Sequence, residues 1–104
     1  MNIVLFTYSP IISNLVKNIL ASYNVDVSTN PNGYINSDYD MIMIDSNLFS
    51  DSIMNHKKPV LLINTQLHSA LCVEIRMDGG NCISLPFTRD ELISVVESLN
   101  QQIK

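Results

Sequence analysis

Three short runs of consecutive apolar residues constrain the fold of this 104-residue chain more than any other feature. They cover residues 3–6, 41–44 and 60–63. Each run is too short for a buried helix, and unbroken apolar character is typical of strands that are covered on both faces of a parallel sheet. Parallel strands need crossover connections, so we expect helices between them.

Capping residues predict one helix after the first run and another at the end of the chain. Ser9 can cap free N–H groups with its hydroxyl, and Pro10 suits the first helical position because it has no N–H to leave unpaired. Thr88 and Glu91 form a capping box for the last helix. Apolar residues of the first helix recur at helical spacing and are expected to face the sheet: Ile12, Leu15, Val16, Ile19, Leu20 and Tyr23.

Shorter signals predict the remaining elements. Residues 25–29 and 82–85 are typical of two further strands. Thr65 is a plausible cap for a helix that stops near Gly79, where a glycine can adopt the left-handed conformation that ends helices. Residues 48–56 have room only for a short helix.

Alternating strands and helices imply a three-layer α/β sandwich, because right-handed crossovers place helices on both faces of a parallel sheet. Five strands fit the flavodoxin-like order 2-1-3-4-5. We expect residues 1–104 to form one domain. Its second and third helices should be shortened, because turn residues at 30–33 and the brief segment 48–56 leave little room for them.

Composition and charge argue against several classes of function. A net charge of −4 without clustered Lys and Arg argues against direct binding to nucleic acid. No apolar stretch could span a membrane and the N-terminus lacks the features of a signal peptide, so we expect a cytoplasmic protein that does not bind membranes. In that compartment Cys72 and Cys82 are expected to be reduced thiols packed in the core.

In a sheet of this order, ligands and chemistry collect at the carboxyl ends of the strands, near the point where the strand order reverses. The two cysteines have no histidine at zinc-ligand spacing, and we expect neither a resident metal nor a cofactor. The candidate site residues are those that follow the strands: Thr7, Tyr8, Ser9, Asp45, Asn64, Thr65 and Leu85.

Two motifs near these strand ends are similar to those of a known family. Residues 38–47 form an apolar strand that closes on Asp45, and residues 79–99 lead from a glycine turn through a strand into Leu85-Pro86-Phe87 and a final helix. Together with residues 2–10, they resemble the receiver (CheY-like) domains of response regulators, over essentially the whole chain. By this resemblance Asp45 matches the aspartate that receivers phosphorylate, and the Leu85–Pro86 bond is expected to be cis.

The same resemblance shows where receiver chemistry is missing. Receivers carry an acidic pair after the first strand that holds magnesium together with the phosphoacceptor, and the matching residues here are Thr7 and Tyr8. A hydroxyl and a phenol cannot replace two carboxylates as magnesium ligands. Leu85 replaces the family's lysine, which neutralises phosphoryl charge. The family's switch hydroxyl falls on Asn64 or Thr65.

We therefore expect a degenerate pseudo-receiver without enzymatic activity, acting in two-component signalling by binding protein partners that the sequence does not identify. By resemblance, such domains work independently of phosphorylation, often as homodimers through the family's helix four, strand five and helix five. Asp45 would then be a strand-end carboxylate that accepts hydrogen bonds from nearby N–H groups. Tyr8 would be either a recognition residue or a half-buried ring with its hydroxyl in solvent.

Two alternatives stay open at this point. One is an atypical response-regulator receiver that is still phosphorylated on Asp45. The other is a flavodoxin-like or phosphocarrier domain that binds an anion at the loop formed by Thr7, Tyr8 and Ser9, because the N-terminus of a helix attracts negative charge. That loop lacks the glycines that usually permit a close approach of the backbone to a phosphate.

Overall fold

A computed structural model describes residues 1–30, 39–56, 58–65 and 70–101, and these form a single five-stranded sheet with helices around it. All neighbouring strands are parallel, in the order β2-β1-β3-β4-β5. This confirms the predicted flavodoxin-like sheet. The strands are β1 (Asn2–Phe6), β2 (Asn24–Ser28), β3 (Met41–Asp45), β4 (Val60–Asn64) and β5 (Asn81–Ser84).

Three α-helices and two short 3₁₀ helices occupy the described connections. The α-helices are α1 (Pro10–Ile19), α2 (Ala70–Met77) and α3 (Arg89–Gln101), and the 3₁₀ helices are Ser46–Leu48 and Asp51–His56. Two predicted caps are present: Ile12 N donates to Ser9 Oγ at 3.2 Å, and Glu91 N donates to Thr88 Oγ1 at 3.1 Å. The Glu91 carboxylate accepts from the Thr88 hydroxyl at 3.3 Å and not from the Thr88 N–H, so only one half of the predicted capping box forms. Within the described ranges, no helix is both long and apolar enough to cross a membrane.

Side chains on the two faces of the sheet form separate cores. One face is covered by α1 and α3, and the other by α2 and the second 3₁₀ helix. This arrangement confirms the three layers. The buried helix residues of the first core are Ile12, Val16, Leu92, Val96 and Leu99, and those of the second core are Ile53, Cys72 and Ile75.

Two local expectations need correction, and two others fall outside the described residues. Leu15 is 36% exposed, because Ile12 and Val16 define the buried stripe of α1 and Leu15 lies at its margin. The connection after β3 holds two 3₁₀ helices instead of one short helix. The shortened second helix would fall largely on residues 31–38, and the cap expected at Thr65 depends on residues 66–69; both segments lie outside the described residues.

The expectation of two reduced cysteines is also wrong for this structure. Cys72 and Cys82 are both buried, as expected, but they are joined by a disulfide. Their Cα atoms lie 5.4 Å apart, within the range that a disulfide requires. The pairing arises because α2 lies over β4 and β5, so that residues ten positions apart in sequence face each other.

Two glycines connect α2 to β5, for different reasons. Gly79 has φ +92°, the left-handed conformation that ends many helices. Gly80 lies so close to its neighbours that an added Cβ would come within 2.7 Å of the carbonyl oxygen of Val60 and 2.8 Å of Cγ2 of Ile75. The close approach at Gly80 lets the chain turn directly from α2 into the edge strand β5.

Candidate functional site

The buried carboxylate of Asp45 is the centre of the candidate site. It ends β3, which pairs with β1 in a register that aligns Phe6 with Ile44. Thr7 directly follows Phe6 and Asp45 directly follows Ile44, so Thr7 and Asp45 lie side by side, and both are buried. The hydroxyl of Thr7 donates to Oδ2 of Asp45 at 3.2 Å.

The other carboxylate oxygen of Asp45 is also engaged. The backbone N–H of Asn47 donates to Oδ1 at 3.0 Å, which makes Asp45 the N-cap of the 3₁₀ helix Ser46–Leu48. The hydroxyl of Thr65, which follows β4, approaches the same oxygen at 3.4 Å. Asp45 thus accepts hydrogen bonds that join the ends of three neighbouring strands, which is a structural role for its charge.

A network of hydroxyl groups surrounds this carboxylate. The oxygens of Ser46 and Thr65 lie 3.0 Å apart, Asn47 Nδ2 donates to the Thr65 hydroxyl at 3.2 Å, and the Thr65 N–H donates to Ser46 Oγ at 3.1 Å. An ionised carboxylate only accepts, so the Thr65 proton is directed to Asp45 and the Ser46 proton to Thr65. We call Thr7, Asp45, Ser46, Asn47 and Thr65 the hydroxyl cluster.

The alternation of side chains along the strands explains which residues join the cluster. Side chains point to opposite faces at successive positions, so Thr7, Asp45 and Thr65 lie on the same side as the first core. Asn64 has the opposite parity and is buried toward the second core. Of the two candidate switch residues, it is therefore Thr65 that contacts Asp45.

Tyr8 does not enter the space around Asp45. Its side chain is 68% exposed, more than the half-buried ring expected from the sequence. The neighbouring Ser9 N–H donates to the Thr7 hydroxyl at 3.1 Å, and the Ile12 N–H donates to Ser9 Oγ. Two N–H groups at the start of α1 thus already have side-chain acceptors, which counts against an anion held by this loop.

Leu85 follows β5 at the same edge of the sheet. Its N–H donates to the carbonyl oxygen of Asn64 at 3.2 Å, and its peptide bond to Pro86 is cis. The side chain is 37% exposed and apolar. Leu85 therefore brings no positive charge to this edge of the sheet.

The residues around Asp45 do not fit magnesium. The ion prefers carboxylate and water oxygens in octahedral geometry, whereas the residues that follow β1 supply a hydroxyl that donates to Asp45 and an exposed phenol. In the part of the chain that the structure describes, no three His, Cys, Asp or Glu side chains come together in a way that could hold a metal ion.

Sequence reasoning missed two members of the hydroxyl cluster. Ser46 and Asn47 directly follow Asp45, but their part in the site depends on how closely the end of β4 approaches the end of β3. The alternation of side chains was the signal that could have selected Thr65 over Asn64, because residue 65 shares its parity with the buried residues 61 and 63.

Solved receiver domains and response regulators share this fold over nearly the whole chain. NtrX from Brucella abortus in complex with ADP superposes with a TM-score of 0.84 at 18% identity, covering 98% of this chain and 26% of that chain. The non-phosphorylated receiver domain of HemR from Leptospira biflexa gives 0.78 at 18% identity, covering 95% and 93%. A response regulator from Thermotoga maritima also gives 0.78 at 18% identity, covering 96% and 97%.

This chain therefore has the fold of response-regulator receiver domains. It spans about a quarter of the length of NtrX. No protein-family model matches the sequence, and no curated protein matches it. Because one fold can carry many functions, the function has to be argued from the residues of the site.

Proposed function

We propose that residues 1–104 are a receiver-like signalling domain of degenerate type, which acts by binding protein partners and not by catalysis or by phosphorylation of Asp45. The observation that carries this proposal is the hydroxyl cluster, in which Asp45 accepts hydrogen bonds from Thr7, Asn47 and Thr65. The proposal includes a cytoplasmic location, in keeping with the signalling role.

The chemistry of phosphoryl transfer supports this assignment. Such transfer depends almost entirely on positioning and on the stabilisation of negative charge by metal ions and cationic side chains. Around Asp45 the metal-binding carboxylates are replaced by Thr7 and Tyr8, and the cation by Leu85. The carboxylate oxygens of Asp45 now accept hydrogen bonds from the buried Thr7 hydroxyl and the Asn47 N–H. Phosphorylation of either oxygen would disrupt the hydrogen bond that this oxygen accepts.

Amide chemical shifts can test the loss of the metal site. We expect that millimolar magnesium, with or without beryllofluoride, leaves the amide resonances of Thr7, Asp45, Thr65 and Leu85 unchanged in isotopically labelled protein. Magnesium-dependent shifts at Asp45 that spread into α2 would contradict the proposal, since they would mean that the domain still responds to a phosphoryl mimic.

A phosphodonor provides a second, covalent test. After incubation with phosphoramidate and magnesium, intact-mass measurement should detect no phosphoryl adduct. An adduct that disappears in Asp45→Asn would instead establish the atypical receiver that phosphorylates this aspartate.

The exposed face of α2 supports a protein partner, and we propose that this partner is a second copy of the chain. Val73 and Met77 lie one helical turn apart and are both exposed, with Met77 81% accessible. Glu74 and Arg76 on the same helix are exposed and carry opposite charges. A symmetric dimer can use such a surface, because each copy presents the same apolar pair and both charges. We call Val73 and Met77 the α2 pair.

Two matched substitutions can test the dimer. Ile11 on α1 is 79% exposed, nearly the same as Met77, so Ile11→Glu controls for the charge introduced by Met77→Glu. In sedimentation velocity over a concentration series, we expect the wild type and Ile11→Glu to self-associate alike and Met77→Glu to remain monomeric. A wild type that stays monomeric throughout, or equal weakening by both variants, would rule out a dimer through α2.

A further inference from the structure

The disulfide between Cys72 and Cys82 joins α2 to β5 inside the second core. Cys72 lies in the first turn of α2 and Cys82 is the second residue of β5, and both side chains are buried. The bond closes a segment with a sequence separation of 10, which contains most of α2 and the glycine turn. It is therefore a covalent constraint on how far α2 can move from the sheet.

Among the described residues, few other interactions attach α2 to the sheet. The helix has eight residues, and its buried residues are Cys72 and Ile75. At its end, the guanidinium of Arg76 donates to Asn81 Oδ1 at 3.4 Å and to the carbonyl oxygen of Cys82 at 3.3 Å. A helix of this length has little stability of its own in water, so its attachment to the sheet depends on these contacts and on the disulfide.

We propose that the Cys72–Cys82 disulfide is a redox-sensitive link that fixes α2 to β5 when it is oxidised and lets α2 open more readily when it is reduced. Disulfides in a reducing compartment are usually transient or redox-sensing, which fits this pair under the proposed cytoplasmic location. One sulfur belongs to α2 and the other to β5, so forming or breaking their bond directly changes how firmly α2 is attached to the sheet.

A dithiol reductant can reduce this disulfide by thiol–disulfide exchange. One of its thiolates attacks a sulfur of the pair, the bond between Cys72 and Cys82 breaks, and its second thiol resolves the mixed disulfide. Two electrons and two protons pass to the cysteines, which end as two thiols, and the reductant ends as a disulfide. Because both sulfurs are buried, the attack requires a local opening of α2.

The link also bears on the α2 pair, and in this respect the inference rests on the proposed function. Val73 directly follows Cys72, and Met77 is in the last turn of the same short helix. When α2 opens, the two side chains lose their fixed spacing, so we expect self-association to weaken on reduction.

Hydrogen exchange measured by mass spectrometry tests the link without reference to any partner. With dithiothreitol, amides from Glu74 to Gly80 should exchange on the order of 10- to 100-fold faster, the range that the loss of a loop constraint of this length implies. Amides of α3 serve as an internal control and should not change. The double variant Cys72→Ala with Cys82→Ala should exchange at the fast rate in α2 and should not respond to dithiothreitol.

Alkylation of the wild type keeps the test decisive if the double variant fails to fold. Iodoacetamide applied in denaturant should modify no cysteine after mild oxidation with oxidised glutathione and both cysteines after dithiothreitol. Two modified cysteines under both conditions, or an equal response of α2 and α3 amides to dithiothreitol, would overturn the inference. A redox effect on exchange without self-association would leave this inference standing and contradict only the proposed dimer.

Discussion

Replacement of Thr7 by valine tests the central claim about the site, because the two side chains have nearly the same shape. The substitution removes the hydroxyl that donates to Asp45 Oδ2 at 3.2 Å and that accepts the Ser9 N–H at 3.1 Å. Both Thr7 and Asp45 are buried, so water cannot easily replace the lost donor. The Ser9 N–H is only partly buried and can turn to water instead.

The expected cost follows from these contacts. A hydrogen bond to a charged group contributes about 1.5–3 kcal/mol, and the carboxylate of Asp45 loses one such bond. The gain from an added buried methyl in valine is about 1 kcal/mol at most. We therefore expect Thr7→Val to lower the free energy of unfolding by about 1–2 kcal/mol, which corresponds to a shift of roughly 1 M in the urea midpoint.

Thr7→Ser is the matched control, since it keeps the hydroxyl and removes only a buried methyl group. Urea unfolding followed by circular dichroism, with the m value held constant, measures the change in the free energy of unfolding for both variants. A double-mutant cycle with Asp45→Asn should show that Thr7 and Asp45 are coupled. If Thr7→Val is as stable as the wild type or more stable, the hydroxyl does not stabilise Asp45 and the interpretation of the hydroxyl cluster is wrong.

Three further predictions concern the elements around the site. Gly80→Ala should destabilise the fold by about 1–3 kcal/mol in thermal unfolding, because its Cβ would meet the carbonyl oxygen of Val60 at 2.7 Å. Gly79→Ala should also destabilise the fold, but through its φ of +92° and not through contact, because its added Cβ meets nothing within 4 Å. Thr88→Ala should cost about 1 kcal/mol in urea unfolding by removing the cap of α3, whereas Thr88→Ser should stay within a few tenths. Asp45→Asn should leave the concentration dependence of sedimentation unchanged, and a shift toward monomer would connect the site to the dimer surface.

Much of the fold could be predicted because its signals are local. The apolar runs at residues 3–6, 41–44 and 60–63 became β1, β3 and β4, and the caps at Ser9 and Thr88 begin α1 and α3. A run of apolar residues and a capping hydroxyl act through neighbours in sequence, so the structure that they favour can be predicted without knowing the rest of the fold. The connection after β3 was predicted less well, since short polar segments lack such periodicity.

The candidate site could be predicted only in part. Its position at the carboxyl ends of the strands followed from the fold class, and Asp45 and Thr7 followed from their places after β3 and β1. The partner of Asp45 after β4 did not, because the choice between Asn64 and Thr65 depends on which face each side chain takes. The resemblance to receivers implies that two carboxylates are missing after β1, but it gave no sign of what the Thr7 hydroxyl would contact.

The sequence by itself thus determined the strand order and the starts of α1 and α3 at their caps. It also placed Thr7, Tyr8 and Leu85 after their strands, and the loss of receiver chemistry at these positions stays a prediction of the resemblance. The tertiary structure alone decided that Thr7 donates to Asp45, and that Cys72 bonds to Cys82. The physical reason is the separation of the interacting residues along the sequence. Strand and helix signals act over a few residues, whereas these contacts join residues 38 and 10 positions apart and exist only once the register of the sheet and the packing of α2 bring them together.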